Sequence, residues 1–187
     1  MKFRLLTLLL LGLLASPATA HMPSDGSQQS IEPHAPADGS NAASWCAAHM
    51  RRGELVQAYF DCEQAVRDDP SNARALSNRG SLFLLTHAPA RAKADFDAAL
   101  NIESSDPTLF FNRGLAYSRL GQSASAIADY TEAIRINPKL AIAYHNRARE
   151  HELLGSRENA IRDYNAALKA DPSLRPSQQE LERLGTE

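Results

Sequence analysis

His145 and His151, the cysteines Cys46 and Cys62, and the aspartates Asp95, Asp129 and Asp163 are the side chains of this chain best suited to chemistry. Imidazoles and thiolates hold metals, carboxylates move protons, and neighbouring thiols exchange disulfides. Spacing limits each of these. The two histidines are six residues apart, so a helix turns them to different faces and they cannot share an ion. The aspartates recur once every 34 residues, which fits a repeated structural or solvated position and not a paired acid and base. The chain has no Cys-x-x-Cys, no glycine-rich phosphate loop and no Gly-x-Ser-x-Gly elbow. The expectation is no enzyme, no metal and no cofactor.

The same interval of 34 residues organises everything that would position such groups. Asn78-Arg79-Gly80 returns as Asn112-Arg113-Gly114 and as Asn146-Arg147-Ala148. Self-similarity at this period means stacked helical hairpins, because one hairpin alone cannot bury its apolar face. Within one unit, Phe110, Gly114, Tyr117 and Leu120 share a helical face from about Pro107 to Leu120. Gly121 breaks that helix, and Ser123 is a candidate N-cap for the next. Ala126, Ile127, Tyr130, Ala133 and Ile134 then share a second face, which ends at Asn137-Pro138. Shifted by 34, Ala92, Ala126 and Ala160 make a small column, Phe96, Tyr130 and Tyr164 an aromatic one, and Ala99, Ala133 and Ala167 another small one. Gly80, Gly114 and Ala148 let the paired helices approach, and each aromatic fills the space beside that contact.

These columns strongly resemble the tetratricopeptide repeat: an aromatic near the start (Phe110, Tyr144), a small residue four later (Gly114, Ala148), a further aromatic (Tyr117), then the alanine, tyrosine, alanine and proline columns. The resemblance implies an all-α, right-handed α-solenoid of antiparallel helix pairs. Clear units span 73–104, 107–138 and 141–172, and a divergent unit spans 41–70, giving about 3-4 TPR units. A capping helix and tail follow at 173–187, opening on the capping-box pattern Ser177-Gln178-Gln179-Glu180. Arg79, Arg113 and Arg147 stand where the family usually places leucine, His151 where it places an aromatic, and Ser104 replaces a terminal proline.

The repeat register also addresses the cysteines. Cys46 falls in the column of Gly80 and Gly114, and Cys62 in that of Phe96 and Tyr130. The two therefore confront one another inside the first hairpin. In an oxidising compartment they form a structural disulfide; the alternative is two buried free thiols.

In arrays of this family the opening helices line a concave groove, and their exposed stripe is where a ligand would sit. The candidates are Arg74 and Asn78, then Phe111, Asn112 and Leu115, then His145, Asn146 and Arg149. Phe111 and Leu115 are apolar at i, i+4 on a face that should be wet. His145, Arg149 and Glu152 could grip an acidic group, or could form a solvated face. The asparagine column resembles residues that some family members use to hold a peptide main chain or carboxylate, although the matching cations are incomplete here.

The N-terminus carries Lys2 and Arg4, an apolar run from Leu5 to Leu14, and Ala18-Thr19-Ala20, the layout of a cleaved signal peptide over 1–20. Residues 21–40 are rich in Pro, Ser, Gly and Gln and read as a disordered linker. Formal charge is only -2, so nucleic acid is not indicated. The expectation is a periplasmic or secreted module that binds a protein or peptide partner in its groove. It should have no membrane span after cleavage and be monomeric rather than homo-oligomeric. The alternative is a self-associating scaffold.

Overall fold

The computed structural model describes residues 42–185; the signal peptide read at 1–20 and the linker read at 21–40 lie outside the described residues. The described residues form helices only, paired as hairpins. The first hairpin is α1 (Ala42–Arg52) with α2 (Leu55–Asp68), and the second is α3 (Ala73–Leu85) with α4 (Pro89–Ile102). The third is α5 (Pro107–Arg119) with α6 (Ser123–Ile136), the fourth α7 (Ala141–Leu153) with α8 (Arg157–Ala170), and α9 (Arg175–Gly185) follows. Each second helix packs on the first helix of the next hairpin, which makes the array an α-solenoid.

Local chemistry sets the boundaries. The Asn72 side chain accepts from the Ala75 N–H at 3.1 Å, and that of Asp106 from Thr108 at 2.7 Å, as N-caps do. α2, α6 and α8 stop at Asp69, Asn137 and Asp171, all extended and all followed by proline. Ser123 is not the cap expected of it: it is already helical, with Gln122 before it and no side-chain capping bond. Between paired helices, Gly53, Gly121 and Gly155 have φ of 75°, 70° and 71°, and His87, in the same column, has φ 58°. That left-handed geometry suits glycine and strains a histidine.

Inside each hairpin one contact repeats between residues 16 positions apart. A Cβ built on Gly80 would lie 2.9 Å from the Phe96 ring, and one on Gly114 2.7 Å from the Tyr130 ring. Ala148 and Tyr164 occupy the same register, both fully buried. In the first hairpin the pair is Cys46 and Cys62, joined by a disulfide with Cα atoms 4.9 Å apart.

The arginine column that departs from the family is the array's polar spine. Arg79 binds Asp95 through two bonds of 2.9 and 2.7 Å and reaches back to Glu63 at 3.3 Å. Arg113 binds Asp129 at 2.8 and 2.7 Å and Asp97 at 2.8 Å. Arg147 binds Asp163 at 2.7 and 2.8 Å and Thr131 at 3.0 Å. Each guanidinium thus closes its own hairpin and fastens it to the preceding one. The aspartates are buried and each has its charge matched bidentately. Their hydrogen bonds raise the pKa of Arg79 and of Arg113, against the opposing effect of burial.

α9 ends the array. Leu184 and Leu181 pack on Ala148, Ala160, Ile161 and Tyr164. The capping box does not form. The helix already begins at Arg175, and the fully buried Ser177 hydroxyl meets His145 Nδ1 at 2.9 Å.

Candidate functional site

The first helices of the hairpins lie side by side, α1 against α3 and α3 against α5. A cavity of about 430 Å³ crosses all three. α1 supplies Ala47, Met50 and Arg51, α3 supplies Ser81, Leu84 and Leu85, and α5 supplies Asn112, Leu115 and Arg119. Its surface is mostly aliphatic, with arginines from α1 and α5 at its margins. One of them, Arg119, donates to the Leu84 carbonyl oxygen. An apolar floor beside cations suits a segment that carries both apolar and acidic groups.

The lining is periodic. Asn112 belongs to the column of Asn78 and Asn146, and Leu115 to that of Ala47, Ser81 and Arg149. Met50 and Leu84 share a column with Ser118 and Glu152. Arg51, Leu85 and Arg119 form another, with Leu153. Of the candidate residues, Asn112 and Leu115 line the cavity. Arg74 and Arg149 are exposed elsewhere on the first helices, and Asn146 is half-buried. Asn78 donates its side-chain amide to the Ala43 carbonyl at 2.8 Å, which ties α3 to α1.

Phe111 and His145 occupy one column, and both lean inward. The Phe111 ring packs on Tyr130 with centroids 5.8 Å apart, and His145 on Tyr164 at 5.4 Å. The expectation that His145 is exposed is corrected: it is 7% exposed, between Tyr164 and Ser177. The trio His145, Arg149 and Glu152 is not a free grip either. Glu152 accepts from Tyr164 Oη and Arg183, so α9 covers that stretch. Arg51, Leu85 and Arg119 were missed because they lie in the last turn of each first helix, next to the hairpin turn; their shared column was the available signal. Glu150 was missed as well. It stands in the column of Leu82 and Ala116, is 3% exposed, and accepts from Ser118 Oγ at 2.5 Å across α5 and α7. Among the described residues, no three His, Cys, Asp or Glu side chains gather as metal ligands. Nor is any helix among them long and apolar enough to cross a membrane.

Burial lowers the pKa of His145, with Arg149 adding to it while Glu180 and Glu152 oppose. Burial likewise lowers that of His151, against the pull of Asp163. For Glu152 burial acts upward, but bonds from Tyr164 and Arg183 outweigh it and the pKa falls. All three shifts favour the unprotonated side chain in the folded state. Stability from the two histidines is therefore present above the unfolded value of about 6.5 and is lost as pH falls through their folded values. That from Glu152 is present above about 4.3 and lost below it. Hydrogen exchange corrected for intrinsic rate should show α9 losing protection between pH 7 and 5 while α5 and α6 keep theirs. Equal loss in both regions would contradict this assignment.

Sequence and structure comparisons agree with this geometry. Three tetratricopeptide repeat models match the chain, over residues 48–108, 107–140 and 141–174. No curated protein matches it. Among solved structures, MamA is 18% identical with a TM-score of 0.69, over 74% of this chain and 81% of MamA. The first TPR of Spaghetti (RPAP3), bound to the HSP90 peptide SRMEEVD, is 25% identical with a TM-score of 0.60, over 63% of this chain and 94% of that one. The Arabidopsis OM64 TPR domain is 23% identical with a TM-score of 0.60, over 61% and 94%. With matches running without a break from residue 48 to residue 174, the chain belongs to the tetratricopeptide repeat family.

Proposed function

We propose that this protein is a non-enzymatic interaction module that holds a peptide segment of a protein partner across α1, α3 and α5. The observation that carries the reading is the cavity shared by these three helices, with its aliphatic floor of Met50, Leu84, Leu85 and Leu115 and the cations Arg51 and Arg119. It suits a ligand with an apolar side chain close to a carboxylate. The peptide in the RPAP3 structure, SRMEEVD, has that composition, which supports the reading by analogy. Asn112, which lines the same cavity, offers its side-chain amide to a main chain. Export to the periplasm or beyond is part of the proposal; it rests on the charge, apolar run and small residues of the first 20 residues.

Photo-crosslinking from position 115 in the native compartment tests this. The expected result is one dominant adduct, reduced at least about tenfold by Arg51→Glu with Arg119→Glu, a loss of charge pairing worth ~1.4 kcal/mol or more. The same adduct from a crosslinker at Ala128, on an outer helix, would sink the proposal.

Self-association is the second reading, favoured by one observation. On α2, Val56 is 66% exposed and Phe60 46%, with Leu55 and Tyr59 beside them. The positions equivalent to Val56 and Phe60 in later hairpins are alanine, glutamate or arginine. Light scattering should show a monomer if the groove alone is functional. A dimer abolished by Val56→Asp with Phe60→Asp would favour this second reading.

A further inference from the structure

The first hairpin is built differently from the other three, and it forms one wall of the groove. Where Gly80 meets Phe96, Gly114 meets Tyr130 and Ala148 meets Tyr164, this hairpin has Cys46 and Cys62, 16 residues apart like the rest. Two sulfur atoms replace an aromatic ring. Their bond lies in a small separate cluster of Cys46, Ala58, Cys62, Leu82 and Met50, apart from the larger core around Phe96. Without the covalent link, two thiols must move apart to van der Waals distance inside a fully buried site with no aromatic ring to bridge the helices, and α1 would be held by Ala43 in the larger core, the His49–Asp61 bond and the Asn78 tie to Ala43. Ala47, Met50 and Arg51, all within five residues of Cys46, are what α1 gives the groove.

We propose that the Cys46–Cys62 disulfide is a redox lock on the groove: its reduction by a dithiol releases α1 and removes one of the three groove walls. The balance is simple. The Cys46–Cys62 bond breaks as the incoming dithiol closes to its own disulfide, and its two protons pass to Cys46 and Cys62. Both sulfurs are fully buried, so attack requires α1 to open first, and a bound ligand that braces α1 slows it. The lock rests on the groove reading for its consequence, while the release of α1 stands on the packing alone.

The experiment treats the whole protein with dithiothreitol, confirms two free thiols by mass, and follows α1 directly. Hydrogen exchange over 42–52 should accelerate on the order of a hundredfold, as expected for losing a cross-link across a loop of this length. Trp45 is the chain's single tryptophan. It adjoins Cys46 and packs on His49 at 5.4 Å, so its emission maximum should shift to the red. Cys46→Ala with Cys62→Tyr copies the Ala148–Tyr164 pair and should hold α1 with or without dithiothreitol; Cys46→Ser with Cys62→Ser should leave it open in both conditions. A twelve-residue peptide, selected from a random library on the oxidised protein and mapped by loss on Leu115→Glu, should bind the reduced protein at least tenfold more weakly. Unchanged exchange over 42–52 in the reduced protein overturns the lock. If no groove peptide is recovered while α1 is released, the groove reading fails and the release of α1 stands.

Discussion

Arg113→Ala is expected to cost about 3–5 kcal/mol of unfolding free energy, measured in urea, because it strands a buried charge. The Asp129 carboxylate has a side chain 7% exposed and takes both of its short bonds from this one guanidinium. The third arm, to Asp97, ties the hairpin to its predecessor, so the loss should extend beyond α5 and α6. Removing both charges separates two explanations. If the cost is the stranded carboxylate, Arg113→Leu with Asp129→Ala should recover most of the lost stability, since apolar groups often replace a buried pair without penalty. A single-mutant loss below about 1 kcal/mol would instead place the pair among ordinary surface ion pairs.

Tyr130→Ala should be comparably severe, at about 3–5 kcal/mol, the usual range for truncating a buried aromatic. Tyr130 is 1% exposed and meets the bare backbone of Gly114 on one side and the Phe111 ring on another. The converse change, Gly114→Leu, overpacks the same contact and should cost about 1–3 kcal/mol. The two changes are coupled, because the leucine can occupy the space the tyrosine leaves. The double variant should therefore be more stable than the sum of the single effects indicates, with a coupling of about 1 kcal/mol or more in thermal or urea unfolding. Strict additivity would show that the two residues do not share one packing contact.

The hairpins were legible because each is encoded several times over. Apolar residues recur at helical spacing, glycines mark the turns, and prolines close the units. The cysteine pair was legible for the same reason: the register of the other hairpins puts positions 46 and 62 opposite one another. The exposure of the candidate stripe was only partly legible. Asn112 and Leu115 line the cavity, but His145 is buried and the Phe111 ring packs inward on Tyr130. Spacing alone shows that two residues share a face, and it does not show how wide the buried arc is. Here that arc is widened by Tyr130 and Tyr164, whose rings reach under the neighbouring column.

The amino-acid order alone settled the period, the helices, the hairpin turns and which residues recur in register, since all of these depend on contacts within about one turn of helix or on exact repetition. The folded array decided which stripe meets water. Arg79, Arg113 and Arg147 could have been solvated cations until their partners, 16 residues away in both directions, were in place. His145 could have been a groove residue until α9 laid Ser177 over it. A side chain's exposure belongs to whatever packs beside it, and that neighbour comes from another helix.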